Sequence, residues 1–531
     1  MNKRIAFLLI ATGISASVAA QDEGDALRYS RLTTGGTART QAIGGAAGSL
    51  GGDITATHVN PAGLGFFKTS EVNVSPGFYF RSNSYNYIGT ATDADKSGAM
   101  LNNVGIVFGI PTRRNPNSPW KNFAFSLDYN RLASFNNRTS IAGLNETTSY
   151  SDKWVESLNA GGPVPSGDAS AQFPLGASLG YNTYLLNFDN DPAANKYYTV
   201  VNPTTGGVYQ QDLVKEKGGL DEFSLGFGGN YNEQLYIGVS VNFPTIHYER
   251  NRTFAEDDNS GDADNDFSFF EHTENLTTDA VGFNSKLGII YAPMPSLRLG
   301  IAYHTPTWYN MRDASTAYLA VNTENLPIGN PPVVPPATDG SDIQRYQNTE
   351  ELTDGFPVEY EYSLRTPSRA LASVSYIFGT NADVKQQHGF VTADVEYVNY
   401  GGTQFKYNKG AAEDQAIANQ LNNVIENAYK GAVNMRLGGE LKFNVFAVRA
   451  GFAYYGNPYN SDYSDVDASM KKISGGVGYR NRGFFADLTY VHTLQKDLYT
   501  PYTLADSPVP VHTASADLSG GNVVLTVGLK F

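Results

Sequence analysis

Two groups of residues in this chain have the types and spacing to do chemistry. The first is an acidic run, Asp262-Ala263-Asp264-Asn265-Asp266, with Glu271 beyond it. Its carboxylate density resembles a calcium loop. An EF-hand loop needs Gly at its sixth position and Glu at its twelfth, and this chain has Phe267 and Thr273 there. The run therefore reads as a solvated acidic loop. The second group is Asp394, Glu396, Arg436, Glu440 and Arg449. These charges suit either the lining of a wet channel or a paired network that holds an internal element, and the paired network is the favoured reading. The seven His are dispersed, with no His-Glu-x-x-His pair to seat zinc. No Gly-x-Ser-x-Gly elbow and no Gly-Lys-Ser/Thr phosphate loop occurs, so acyl-transfer and nucleotide chemistry have no visible seat. With no Cys, disulfides and thiolate sites are excluded. The expectation is a protein that is not an enzyme, with no catalytic residue, no metal and no cofactor.

The elements that carry the second group alternate with period two. Val391, Ala393, Val395 and Tyr397 face one way while Thr392, Asp394 and Glu396 face the other. Met435, Leu437, Leu441 and Phe443 oppose Arg436, Glu440 and Lys442, and Phe446, Val448, Phe452 and Tyr454 oppose Arg449. A soluble β-sandwich would alternate too, but here the apolar sides are long and aromatic-rimmed and the polar sides mix charge with Gly and Ala. A lipid-facing exterior and a wet lumen explain that asymmetry.

Composition agrees. The 531 residues include 34 Tyr, 29 Phe and 54 Gly, with charged residues at only 17%. Such a balance suggests many strands and many turns. No mature segment offers the roughly 18 consecutive apolar residues that a spanning helix needs. Lys3 and Arg4, the apolar run Ile5 to Ile14 and the small residues before Ala20/Gln21 read as a secretory signal over 1–20. Removing its two cations takes the formal charge from −14 to −16. An exported acidic chain argues against nucleic acid as a partner.

About fourteen strands are expected, an even number as in outer-membrane barrels. They fall at 71–80, 102–111, 120–132, 220–232, 234–250, 277–292, 296–310, 357–378, 387–400, 431–444, 446–457, 471–481, 483–495 and 519–531. Short and long connections alternate strictly between them, as periplasmic turns and external loops do. The fold class is therefore all-β, a transmembrane antiparallel barrel over 71–531. Its loops include segments fit for short helices near 151–159 and 180–187 and an amphipathic helix over 411–430.

One stretch does not fit the wall. Arg39 to Leu64 is rich in Gly and Ala, lacks strand alternation, and closes on Asn60-Pro61-Ala62-Gly63-Leu64. Small residues and turn formers let a backbone fold tightly and pack close to other backbone. Residues 21–70 are read as a plug, with Arg39, Gly44, Gly45, Asn60, Pro61, Ala62 and Gly63 as its gate residues. The last strand sets Val523, Leu525, Val527, Leu529 and the terminal Phe531 on one face. A closing strand that ends on an aromatic resembles the signal read by the barrel assembly machinery.

Together these residues resemble the FadL family, outer-membrane transporters of long-chain fatty acids and other hydrophobic compounds in Gram-negative bacteria. The resemblance rests on Arg39, Gly44-Gly45-Ala46 and Asn60 to Leu64 in the plug. It continues through Leu297-Arg-Leu-Gly300-Ile-Ala-Tyr303, Met435-Arg-Leu-Gly438-Gly-Glu440, Val448-Arg449-Ala-Gly451-Phe-Ala-Tyr454 and Ile473-Ser-Gly475-Gly476-Val-Gly478-Tyr. It implies an N-terminal hatch near the periplasmic end and a groove among the loops for first capture. It also implies an exit sideways through the wall beside a kinked third strand. The third strand here, 120–132, has no Gly or Pro to mark a kink. Candidates for capture are Phe269, Phe270, Ile417, Leu421 and Ile425, with packing between loops as the alternative. The expected partners are a hydrophobic small molecule, outer-membrane lipid and the assembly machinery. An outer-membrane docking barrel, such as a secretion-machinery component, is the alternative function.

Overall fold

The computed structural model describes residues 22–112, 118–328, 344–379, 388–407, 412–505 and 507–531, with side chains undescribed at 412–414. The expected signal segment lies outside these residues. Lipid offers a backbone no hydrogen-bonding partner, so a spanning sheet must close on itself. This one does. Fourteen staves pair antiparallel around a ring. In chain order the first six are Glu71–Tyr87, Thr90–Pro111, Trp120–Ser134, Val208–Tyr231, Leu235–Asp258 and Phe269–Met294. The seventh is Leu297–His304 continued by Trp308–Asn322, the eighth Val358–Arg365 continued by Arg369–Phe378, and the ninth Gly389–Asn399 continued by Gln404–Lys406. The last five are Gly431–Phe443, Phe446–Tyr455, Met470–Asn481, Phe484–Tyr499 and Ala514–Lys530. The first and last staves close the ring from Glu71↔Lys530 to Asn86↔Ser515.

Alternation along each stave sorts side chains as the sequence pattern requires. Val74, Phe125, Leu225, Ile237, Ile289, Val391, Leu437, Val448 and Leu525 are exposed on the outside. Ser75, Ser126, Ser224, Ser240, Thr392, Arg436, Arg449 and Thr526 are buried on the inside. Aromatics rim the belt, with Trp120, Phe123 and Tyr231 packed together near the short-turn end. At that end Arg482 and Gly483 both take positive φ, the conformation of a two-residue turn between twisted strands. The staves outrun the membrane at the other end. The sixth is 26 residues long, whereas a spanning strand needs about 9–11.

Three features depart from the expected strand map. The ranges 296–310 and 357–378 are each interrupted, at 305–307 and 366–368, where Pro306 and Pro367 remove a ladder donor. The third stave is irregular without any Gly or Pro. Its ladder to the second stops at Asn103↔Asn130, and its register to the fourth shifts between Arg131 and Ala133. The long loops also hold strands of their own, at Asn137–Asn145, Leu186–Asp189, Lys196–Thr199 and Arg345–Asn348. Loop helices form at Ser151–Asn159, Ala177–Asn182 and Ala412–Ala428. The loops share a core of Tyr150, Trp154, Leu186, Phe254, Phe270, Leu319 and Tyr502, which makes a packed cap over the long-loop end.

The sorting of faces gives a direct test. Leu437 is 57% exposed in the middle of its stave. Leu437→Arg is expected to cost about 2–4 kcal/mol by placing a cation in lipid. Urea unfolding in lipid vesicles checks this, with the lumen substitution Thr392→Ser as the mild comparison.

Candidate functional site

Residues 22–70 thread the lumen from top to bottom. Helix α1 (Glu23–Ser30) starts with a capping box between Asp22 and Asp25, which fixes its first turn. Its Ala26, Leu27 and Tyr29 are buried among Phe135, Tyr248, Leu276, Tyr309 and Tyr362 of the upper wall. The chain then descends to helix α2 (Ala38–Ala42), helix α3 (Ala56–Val59) and a 3-10 turn, Pro61–Phe66. Asn60 initiates that turn by accepting from the Ala62 amide at 3.1 Å, with Pro61 at the first position, where its missing N–H costs nothing. The stretch ends where Ser70 and Phe531 exchange two backbone bonds of 3.0 Å.

Wall glycines admit this backbone. A Cβ at Gly288 would strike the Asn60 side chain, and one at Gly438 would strike Ile43. Asn60 Nδ2 donates to the Gly48 carbonyl at 2.6 Å and reaches the wall carbonyls of Ile289 and Ile301 at 3.4 and 3.3 Å. Gly44 and Gly45 both have positive φ, and the Gly44 amide donates to Ser474 Oγ at 3.2 Å. Pro61, Ala62 and Gly63 are buried in the 3-10 turn.

The five lumen charges form the paired arrangement. Arg449 reaches Glu440 and Asp487 at 2.6 Å each, and Arg39 of the plug approaches the same Glu440 at 3.5 Å. Arg436 bonds Glu396 at 2.7 Å and donates to Thr34 Oγ1 at 2.5 Å. Asp394 accepts from the Gly48 amide at 3.1 Å and from Ser373 at 2.5 Å. Each charge thus fixes either a plug segment or a neighbour that does. Together they link the plug to staves eight to eleven and thirteen.

On the opposite side the structure assembles a group that sequence reading missed. His58 of α3 bonds Glu222 through Nδ1 at 2.8 Å and Asp128 through Nε2, and Lys286 bonds the same Glu222. All four are buried. They lie up to 228 positions apart, so spacing could not join them. The available signal was that Asp128 and Glu222 are inward positions of alternating strands. His304 adds a bond from Nε2 to the Val59 carbonyl at 3.0 Å.

Between the plug and the upper wall lies a cavity of about 70 Å³. Leu32, Val59, Leu132, Tyr309 and Leu371 supply apolar lining, and Glu222, Lys286, Arg369 and Glu396 supply charge. It reaches Asn130 and Leu132, where the second stave stops pairing with the third, and Gly35 passes against the Arg131 carbonyl there. The capture candidates differ in exposure. Phe270 is fully buried in the cap core, and Ile425 is fully buried against α1 and the upper wall. Phe269, Ile417 and Leu421 are half-buried. Phe531 is exposed at the short-turn rim. Among the described residues no cluster of three His, Asp or Glu is arranged to hold a metal.

No family model matches the sequence, and no curated protein matches it. Solved structures do match in fold. A FadL homologue of Pseudomonas aeruginosa aligns over 94% of this chain and 99% of its own, with a TM-score of 0.54 and 13% identity. The toluene transporters TodX of Pseudomonas putida and TbuX of Ralstonia pickettii each align over 94% of this chain and 99% of their own. Both have 14% identity and a TM-score of 0.47. The shared property is the FadL-type barrel fold.

Arg449 has no exposed side-chain surface and balances two carboxylates. Removing one partner of a buried pair leaves uncompensated charge, so Arg449→Leu is expected to cost about 3–5 kcal/mol. Adding Asp487→Asn is expected to regain part of that loss. Urea midpoints of the two variants in vesicles measure the difference.

Proposed function

We propose that this barrel sits in the bacterial outer membrane and admits hydrophobic small molecules, such as long-chain fatty acids, by passive uptake. The observation that carries the reading is the partly apolar cavity between plug and wall, at the level where the second and third staves cease to pair. Apolar burial there favours a ligand tail by roughly 0.8 kcal/mol per methylene. The unpaired edge supplies an exit toward lipid that does not require the plug to leave. Above that edge the loop strand Asn137–Asn145 is tied to the first two staves by side-chain bonds. Thr92 Oγ1 donates to the Ser140 carbonyl at 2.5 Å, and Asn83 Nδ2 donates to Asn137 at 2.8 Å. The likeness in fold to a FadL homologue supports the same reading.

In this account residues 21–70 act as a hatch with Arg39, Gly44, Gly45 and Asn60 to Gly63 at its contacts, and 1–20 act as a cleaved export signal. The aromatic terminus at Phe531 serves recognition by the barrel assembly machinery, and lipid of the outer membrane surrounds the belt. Transport of this kind needs no catalytic group or cofactor.

Uptake of radiolabelled oleate by cells with and without the chain tests the proposal. Expression is expected to raise uptake severalfold, and Leu132→Trp, which fills the cavity beside the unpaired edge, is expected to abolish the gain while the barrel still assembles. Uptake unchanged by expression contradicts the reading.

A further inference from the structure

We infer that the wall carries a second lateral port, at the level where staves seven, eight and nine are all broken. Through it an uncharged apolar molecule passes between the cavity and the surrounding lipid. The inference rests on the proposed uptake function for what passes, but on the backbone alone for where.

The seventh stave stops at His304 and resumes at Trp308, and the eighth stops at Arg365 and resumes at Arg369. The intervening segments are Thr305-Pro306-Thr307 and Thr366-Pro367-Ser368. The ninth stops at Asn399, makes a 3-10 turn over Tyr400–Gly402, and resumes at Gln404. A proline within a sheet removes a ladder donor and belongs at edges or bulges. Here two lie in neighbouring interior staves at one height.

The consequence is two short ladders set end to end. One joins Leu297–His304 to Arg369–Tyr376, and the other joins Trp308–Ser315 to Val358–Arg365. Between them the Thr366 amide donates to the Thr307 carbonyl at 3.0 Å, and the Thr307 amide donates to Thr366 Oγ1 at 3.1 Å. On the side of the sixth stave, the Thr305 amide donates to the Ser285 carbonyl at 3.0 Å, and the Ser285 amide donates to Thr305 Oγ1 at 3.0 Å. Two bonds on each side hold the seam, and one of each two runs through a threonine hydroxyl where a continuous ladder would use backbone alone. Such places open locally before the rest of the sheet does.

The seam has the cavity on one side and lipid on the other. His304, Thr305, Thr307, Thr366, Pro367 and Arg369 line the cavity. Outside, Tyr303 and Trp308 flank the break and are 45% and 49% exposed, with Phe283 paired opposite Trp308. Four residues beyond Phe283, on the same outer face, lies Asp279, exposed to water, so the seam sits at the upper edge of the apolar belt. The lining suits an uncharged molecule. The Thr305 and Thr366 hydroxyls already serve backbone amides, the Thr307 hydroxyl accepts from Asn284 Nδ2 at 3.1 Å, and Arg369 at the inner lip is engaged with the Ser30 carbonyl at 2.5 Å. Bending of one stave would need one bulge. Interruption of three neighbours at a single height marks a place where the wall parts.

The chain has no Cys, so introduced thiols report without background. The full chain in phosphatidylcholine vesicles is treated with N-(1-pyrenyl)maleimide dissolved in the lipid. Thr366→Cys is expected to label about tenfold faster than Ser375→Cys, which faces the lumen from a continuous ladder. The charged aqueous reagent sulfonatoethyl methanethiosulfonate is expected to reach Thr366→Cys more slowly than the lipid-borne one. Equal labelling of the two positions, or faster labelling from water, overturns the port. A Thr307→Cys/Thr366→Cys disulfide then locks the seam, since facing antiparallel residues lie within disulfide reach. Oxidation is expected to lower uptake of N-phenyl-1-naphthylamine by cells about twofold, reversibly, as closing one of two gates would. An unchanged flux overturns the port as a route. Cells in which the chain brings in no dye at all contradict the uptake reading instead, and the labelling comparison decides the port by itself.

Discussion

A sheet in lipid cannot keep an edge, and closure is the constraint on which everything else in this molecule depends. Pairing of the first stave with the last satisfies the backbone from Glu71 to Asn86 and defines an inside. Once an inside exists, period two sends every second side chain into it. Those residues include Asp128, Glu222, Lys286, Glu396, Arg436, Glu440, Arg449 and Asp487, which lipid would not tolerate. Buried charge must be paired, and the plug supplies part of the pairing through Arg39, Thr34, Gly48 and His58. The plug is therefore held by the same groups that closure forces inward.

Two kinds of contact divide that work. Glycines such as Gly288 and Gly438 let the plug backbone reach the wall, and Asn60 converts the closeness into hydrogen bonds. Ion pairs then set direction. The clusters around Arg449 and Arg436 bind one side, and the His58–Glu222–Lys286 group binds the other. The cavity remains where neither kind of contact fills the upper lumen below α1.

The wall was legible in the sequence because one short rule, apolar outside and polar inside, repeats in every spanning segment. Val391 to Tyr397 and Met435 to Phe443 announce their faces within a few residues. The extensions beyond the membrane were not legible. Above Asp279 both faces meet water or loops, so the rule that located the sixth stave at 277–292 stopped before its start at Phe269. Pro306 and Pro367 were visible, yet the alternation on either side concealed that they divide their staves. The cap gave even less signal, because its core joins Tyr150, Phe254, Leu319 and Tyr502 from separate loops. The loop helix Ala412–Ala428 was an exception, since a local period of 3.6 suffices to show it. At the site, charges on single strands could be seen, but the partner of His58 could not.

The central claim is that a plug held by inward-facing charge blocks a barrel whose wall stands without it. Ion conductance in planar bilayers tests it most directly, comparing the full chain with a form lacking 30–66. The full chain is expected to pass almost no ionic current, and the shortened chain to assemble and open steps of the size a water-filled lumen gives. Large steps from the full chain, or a shortened chain that never forms a barrel, would contradict it.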